Sequence, residues 1–543
     1  MSEKLDGELE SHMTEHATQN PDASSRKRWG MTVDIDRCVG CQTCTIACKH
    51  ANDTVPGVQW RKVIDVESGT FPDVSRLFMV VGCQHCAEPP CVPVCPTGAT
   101  KQRDDGLITM DYDLCIGCAS CAVACPYQAR TIVHKEEFYY GEKTVQEEVV
   151  ARKDRFGVAQ KCTFCIDRVD DGLAAGLNPG VDPEATPACA ASCITQAIQF
   201  GDFNNPDSIV SRLVNERDHF QMHAELGTDP QIKYLRQNTL DGQADLSTGD
   251  ADDEGISNPL TGDRQKFWDM RAAMNFILGG IGSGTVVVAY LISLLTDFSD
   301  KSLINIFIVS GGIIALGLFF VWLKIGRKLR APFAILRPQS SWMSREIYAV
   351  GVFYLAVIAD WLQPHNAWHL IVALSALAFL ICQARILHAA KGIPTWRVPL
   401  MPWMLVVTGL FEGAGLLSVV FALYGDVMPI SNVLPFAGLL LVVTNATLWH
   451  RYIGTAKAEG IGPVDRKILA RLSPKLHAIA HIGPLILFGA ATIMAAQLAW
   501  MAAIAGTFAI AGGILWKAIV ITRACHHQGY AITKSGTVRG NLI

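Results

Sequence analysis

Sixteen of the chain's eighteen cysteines fall in four short groups. Cys38, Cys41, Cys44 and Cys48 follow C-x2-C-x2-C-x3-C, and Cys115, Cys118, Cys121 and Cys125 repeat that spacing before Pro126. Cys83, Cys86, Cys91 and Cys95 run C-x2-C-x4-C-x3-C before Pro96. Cys162, Cys165, Cys189 and Cys193 keep the outer spacings and stretch the middle. Such runs supply thiolates to [4Fe-4S] cubes. Three cysteines wrap one cube from a tight loop, and a fourth, three residues on and expected to open a helix, reaches a neighbouring cube. Zinc uses two C-x-x-C pairs and has no need of the extra cysteines. A disulfide framework suits small secreted domains, whereas this cysteine-bearing region is about 210 residues long with apolar strands such as Leu77 to Val81.

Sixteen thiolates make four cubes with none left over. Placing the second group beside the third, and the first beside the fourth, gives a ferredoxin nested inside a ferredoxin. The ligand sets are then Cys38/Cys41/Cys44/Cys193, Cys162/Cys165/Cys189/Cys48, Cys83/Cys86/Cys91/Cys125 and Cys115/Cys118/Cys121/Cys95. The two remaining cysteines, Cys382 and Cys525, lie in or beside apolar runs and read as packing residues.

The elements that must hold these groups divide the 543 residues into unlike halves. We read a polar tail over 1–29, an α+β four-cluster domain over 30–240, an Asp/Gly/Ser-rich linker over 241–265, an all-α eight-helix transmembrane anchor over 266–530 and a second tail over 531–543. The tail has no apolar run or cleavage pattern of an export signal. The apolar runs fall at about 273–296, 303–324, 346–362, 368–390, 402–424, 432–451, 476–499 and 504–523, near the roughly 20 residues that cross a bilayer. An even number of spans leaves both termini on one side. The flanks and loops of that side carry twenty-two Lys and Arg, and the opposite loops carry one, Lys301. Basic residues are retained on the cytoplasmic face, so the termini and cluster domain are expected in the cytoplasm, on the inner membrane. A net charge of −4 gives no reason to expect nucleic acid as a partner.

The segments Asp36-Arg37-Cys38-Val39-Gly40-Cys41, Cys83-Gln84-His85-Cys86-Ala87-Glu88-Pro89-Pro90-Cys91 and Gly227-Thr228-Asp229-Pro230 with Tyr234-Leu235 resemble the four-cluster electron-transfer subunit of the dimethyl sulfoxide reductase family of molybdenum enzymes. The resemblance covers about residues 30 to 236. In the related nitrate reductase subunit a Trp in the third group trims one cluster to [3Fe-4S]; here Cys121 holds that position, which implies four [4Fe-4S] clusters. It also implies an order, with the first-group cluster nearest a separate molybdopterin catalytic subunit and the Cys115/Cys118/Cys121/Cys95 cluster nearest the membrane.

The membrane half resembles the same family's anchor subunit in Leu323-Lys324-Ile325-Gly326, Arg330-Ala331 and Ser341-Trp342-Met343-Ser344-Arg345-Glu346. There a His commonly stands at the position of Lys324 and, with a Glu at the position of Glu346, helps bind quinone. Glu346, Lys324 and Arg330 are therefore the quinone-site candidates, with Glu346 as a proton carrier at the bilayer edge. The competing readings are a solvated helix-terminal acid for Glu346 and lipid-headgroup anchors for Arg330 and Arg345. Haem is not expected, since His365/His369 and His477/His481 are spaced along single helices and haem needs facing histidines.

The chain thus reads as an electron-transfer component and quinone-reactive anchor with no catalytic residues of its own. Its partner's substrate is read as sulfite, because cytoplasm-facing relatives include sulfite-oxidising complexes. Exported relatives reduce dimethyl sulfoxide, thiosulfate or polysulfide, and acyl-CoA-oxidising complexes also face the cytoplasm. An assembly ferredoxin, or a wire to an ion pump, is the reading from another class; only Glu412 and Lys517 lie deep enough in spans for a pump. Four cubes predict about sixteen irons, with equal acid-labile sulfide, per chain. Iron analysis of anaerobically prepared protein checks this, and half that content excludes four cubes.

Overall fold

The computed structural model describes residues 26–150, 153–236, 259–296, 298–424, 432–494 and 499–531. The expected tail over 1–25, most of the linker (241–258) and the C-terminal tail from 532, with Lys534 and Arg539, lie outside the described residues.

The nested plan is visible in the strand pairing. Strand β1, Trp29–Asp34, precedes the first cysteine group, and every one of its residues is buried. It pairs antiparallel with β8, Ile198–Asp202, and parallel with β10, Ile232–Leu235, both of which follow the fourth group. Strand β9, His219–Phe220, completes a sheet of order β8-β1-β10-β9. The chain therefore closes its own ends over everything between them. Inside lie three two-stranded ribbons: β2, Arg61–Thr70, with β3, Asp73–Gly82; β4, Thr100–Gln102, with β5, Ile108–Met110; and β6, Thr131–Ile132, with β7, Ala159–Gln160. Trp29 belongs to β1, so the tail ends earlier than expected.

The helices near the cysteines are short, and they correct one expectation. The fourth cysteine does not open a helix. Cys48 sits within helix Thr43–Ala51, and Cys125 caps the end of helix Ser120–Ala124. Each helix begins just before the third cysteine, after a left-handed residue (Gln42 or Ala119) that turns the loop back on itself.

Eight helices are long and apolar enough to cross a membrane: Met270–Ser293, Asp300–Lys324, Trp342–Leu362, Asn366–His388, Met401–Leu423, Val433–Thr455, Pro463–Ile493 and Trp500–Thr522. The protein is a multi-pass membrane protein. Their starts and ends differ from the apolar runs where polar residues extend a helix. The third span gains Trp342 to Arg345, which moves Glu346 from the helix edge to its second turn. The seventh gains the amphipathic stretch from Pro463, followed by a π-helical turn at His477–Ile482. The first span is the most enclosed, and the second, third, sixth and seventh present broad faces outward. Residues 259–265, read as linker, are instead packed: Leu260 is buried and its carbonyl accepts from Tyr530 N at 2.8 Å.

The two halves meet at three glycines. Gly117, at φ +69°, lies in the third cysteine loop, Gly157 lies just before β7, and Gly326 begins the loop after the second span. A Cβ at Gly117 or at Gly326 meets the Gly157 carbonyl, so only glycine permits this approach. Gly326→Ala is expected to destabilise the junction by about 1–3 kcal/mol, as overpacking does. Faster hydrogen exchange over Cys115–Cys121, with the β1 sheet unchanged, is the measured sign.

Candidate functional site

The fold brings the sixteen cysteines into four neighbourhoods. Cys38 and Cys44 lie with Cys193, and Cys38 with Cys41. Cys48 lies among Cys162, Cys165 and Cys189. Cys86 lies among Cys83, Cys91 and Cys125. Cys121 lies among Cys115, Cys118 and Cys95. All eighteen cysteines are free of disulfides. Among the described residues no three Cys, His, Asp or Glu side chains converge as ligands of a single ion do. Thiols gathered in fours from two separate segments of chain are the ligand supply of an iron–sulfur cube.

The surroundings fit such a cube too. Polar hydrogens point at sulfur: Arg130 Nη2 donates to Cys91 Sγ at 3.0 Å, Ala159 N to Cys115 Sγ at 3.5 Å and Phe164 N to Cys162 Sγ at 3.4 Å. Asn52 Nδ2 stands 3.6 Å from Cys165 Sγ and 3.8 Å from Cys48 Sγ. Burial pushes the Cys115 thiol up to about 11 and the Cys125 thiol up to about 12, so each is hard to ionise until a metal shares its charge. His85 is held well below its usual range by burial and then by Lys161, and it stacks on Phe164 at 3.8 Å. Cys41 alone of the sixteen is exposed, so the first neighbourhood opens to the surface.

The fourth neighbourhood faces the membrane half, which grips it by the backbone. Lys324 Nζ donates to the Cys118 carbonyl at 2.7 Å, and Trp268 Nε1 donates to the same oxygen at 3.2 Å. Arg327 N donates to Ile116 O at 3.0 Å, and Gly392 N to Val123 O at 3.1 Å. Arg330 Nη1 donates to Tyr112 O at 2.6 Å. Arg330 thus docks the two halves instead of meeting lipid. Arg345 stays within the membrane half, donating to Pro338 O at 2.7 Å and stacking 4.3 Å over Trp342.

Glu346 is buried, which overturns the solvated-acid reading. Asn275 Nδ2 donates to it at 3.3 Å, and Gln383 Nε2 fixes the Asn275 carbonyl at 2.9 Å. Lys324, Arg330 and Glu346 do not touch one another. Two clefts lie at the junction; Lys324 lines the polar one and sits 5.6 Å from the Trp268 ring, which lines the apolar one, while Arg330 and Glu346 line neither. The apolar one is a narrow crevice of about 20 Å³, room for a water-sized group, lined by Val94, Ser120 and Val123 of the cluster domain and by Trp268, Trp342, Met343, Ile386 and Ala389. Glu346 lies one turn beyond Trp342 on the same helix. The separate polar cleft, of about 450 Å³, has Lys324, His134, Asp269 and Arg271 in its walls. Of the remaining intramembrane candidates, Lys517 and Glu412 form a fully buried pair at 2.6 Å. His481 bonds both His477, at 3.0 Å, and Asn445, at 3.1 Å.

Residues 74–140 match the family model described as a 4Fe-4S dicluster domain. One of the subunits of the selenate reductase of Mesobacillus selenatarsenatis is 38% identical over 224 residues, 38% of this chain and 72% of that protein. The chain belongs to the iron–sulfur subunits of dimethyl sulfoxide reductase-type molybdoenzymes. A putative dimethyl sulfoxide reductase iron-sulfur subunit of Halobacterium salinarum is 37% identical over 222 residues, 38% of this chain and 78% of its own length. One of the subunits of the sulfite dehydrogenase of Allochromatium vinosum is 37% identical over 221 residues, 38% of this chain and 81% of its own. Such subunits transfer electrons through iron–sulfur centres for a catalytic partner, and the likeness to each falls on less than half of the present chain. Here an iron–sulfur subunit continues into eight apolar spans.

The placement of Cys125 gives a discriminating experiment. By linear spacing it belongs with Cys115, Cys118 and Cys121, but in space it joins Cys83, Cys86 and Cys91. Cys125→Ser is expected to alter the EPR signal of the cluster held by the second group and to leave the membrane-nearest signal in place; loss of the latter alone contradicts the exchange.

Proposed function

We propose that this chain carries electrons between a molybdopterin catalytic subunit and the quinone pool through four [4Fe-4S] clusters. Their ligands are Cys38/Cys41/Cys44/Cys193, Cys162/Cys165/Cys189/Cys48, Cys83/Cys86/Cys91/Cys125 and Cys115/Cys118/Cys121/Cys95. The clusters supply one-electron steps. The observation that carries the quinone half of the reading is the apolar cleft: its walls combine the neighbours of Cys95 and Cys121 with side chains of the third and fourth spans. The crevice holds about 20 Å³, so a planar headgroup enters from lipid only when Trp342 and Ile386 part, and it then rests against the loop of the membrane-nearest cluster.

Quinone reduction consumes two protons and quinol oxidation releases two. Glu346 is the carboxyl placed to exchange one, held by an amide and without a cation partner among the described residues. Lys324 binds the loop backbone and faces the polar cleft, which leaves it to orient the cluster loop and to connect the site to water. Arg330 is a docking residue on this reading, not a quinone ligand.

The bias of twenty-two basic residues against one supports a cytoplasmic position for the cluster domain, on the inner membrane. That sidedness favours sulfite oxidation by the partner. Similarity does not choose the direction, since relatives from a selenate reductase and from a sulfite dehydrogenase are matched at 38% and 37% identity. In reconstituted membranes Glu346→Gln is expected to lower quinol-linked turnover at least about tenfold, as general acid–base groups do, with all cluster signals intact. Unaltered turnover removes Glu346 from the site.

A further inference from the structure

We propose that four buried cations alternate with the four clusters and hold up their reduction potentials: Arg61 between the first and second, Lys161 between the second and third, Arg130 between the third and fourth, and Lys324 between the fourth and the membrane. The inference rests on the four-cluster reading above.

None of the four side chains is more than 7% exposed. Arg61 lies among Cys44 of the first set and Cys48, Cys162 and Cys189 of the second. Lys161 lies among Cys162 of the second set and Cys83 and Cys91 of the third, with Nζ donating to the Cys162 carbonyl at 2.7 Å. Arg130 lies among Cys83, Cys91 and Cys125 of the third set and Cys121 of the fourth. Lys324 lies beside Cys118 and Cys121. Each gap along the path therefore holds one positive charge.

Among the described residues no carboxylate pairs with any of the four. A buried, uncompensated cation is strongly unfavourable, so a negative partner must be supplied from elsewhere. Arg61 makes the case most sharply. Its Nη2 reaches only sulfur, Met31 Sδ at 3.3 Å and Cys162 Sγ at 4.0 Å, while Nε and Nη1 have no protein partner. A guanidinium serving as a structural tie satisfies its N–H groups on carbonyls or carboxylates; this one does not.

A cube on four thiolates is net negative and gains one further negative charge on reduction. A cation fixed nearby in a medium of low dielectric favours the reduced form and so raises the potential. A cation shared by two cubes raises both and offsets their mutual repulsion when either takes an electron.

The experiment is an EPR-monitored redox titration of the membrane-reconstituted full chain. Wild type reads the cluster number, so fewer than four [4Fe-4S] signals defeats the functional reading and not this inference alone. Arg130→Met is expected to lower the midpoints of the third and fourth clusters and leave the first two in place. Arg61→Met is expected to do the reverse. Arg130→Lys, which keeps the charge, restores the wild-type midpoints. Four intact signals with unshifted midpoints in both methionine variants overturn the proposal, as does a uniform shift of all four. If a methionine variant assembles fewer clusters, Lys161→Met is read instead: lowered second and third midpoints support the ladder, and unmoved ones overturn it.

Discussion

A cube cannot be built from one loop of this chain, and that constraint organises the rest. On the proposed ligand sets every group of three cysteines borrows its fourth from another group. Cys193 must return to Cys38–Cys44, and Cys48 must reach Cys162–Cys189, across more than a hundred residues. The outer pair closes only if the segment before Cys38 and the segments after Cys193 come together, which is what β1 does in pairing with β8 and β10. The inner pair, Cys83–Cys125, is then a self-contained insert whose far end is free to face something else. Here it faces the membrane helices.

At that junction the anchor's donors bond the carbonyls of Cys118, Ile116, Tyr112 and Val123, with an Arg330–Asp113 ion pair at 3.5 Å beside them. Backbone contacts of this type leave the loop no rotamer freedom and fix the distance between the loop and the Trp268 and Trp342 walls of the apolar cleft. Fixed geometry suits electron transfer, where rearrangement at each step adds to the barrier. The glycine contact among Gly117, Gly157 and Gly326 allows the approach, since a Cβ at Gly117 or Gly326 meets the Gly157 carbonyl.

The four cysteine groups and the eight spans were legible because each is a repeated local pattern: thiolates at ligand spacing, and apolar runs at bilayer length. Counting thiolates gave the number of cubes, and the nested pairing of groups came from the expected plan of one ferredoxin inserted in another. The buried cations were not legible. Arg61, Arg130 and Lys161 have no motif of their own, and a charged residue in a charged half of the chain reads as surface until the fold encloses it. Lys324 was singled out for its position, but its bond to the Cys118 carbonyl depends on how two halves dock, which no local pattern encodes. The depth of Glu346 was missed for a simpler reason: Trp342–Arg345 look like a polar boundary, yet Ser344 donates to the Ala334 and Pro96 carbonyls and Arg345 folds over Trp342, so all four are absorbed into the helix.

Glu346 and Glu412 are both carboxyl groups buried within spans, and their partners separate their roles. Glu412 is closed onto Lys517 at 2.6 Å, with neither side chain exposed, and Lys517 also donates to the Phe276 carbonyl at 3.1 Å. That pair ties the first, fifth and eighth spans together and places a cation directly on the carboxylate, although Glu412 Oε1 has no hydrogen-bond partner. Glu346 has an amide for a partner, and an amide neither neutralises a carboxylate nor supplies a proton. A carboxyl held in this way at the cluster-side edge of the bilayer tolerates both of its protonation states only if water or a ligand shares the difference. The cleft one helical turn away, beneath the membrane-nearest cluster loop, is where such a ligand comes within reach. An ion pump needs a continued series of groups like Glu346 toward the opposite face. The next acid along that span, Asp360, is instead paired with His369 at 3.2 Å near the far end, about three to four turns beyond Glu346 along the helix.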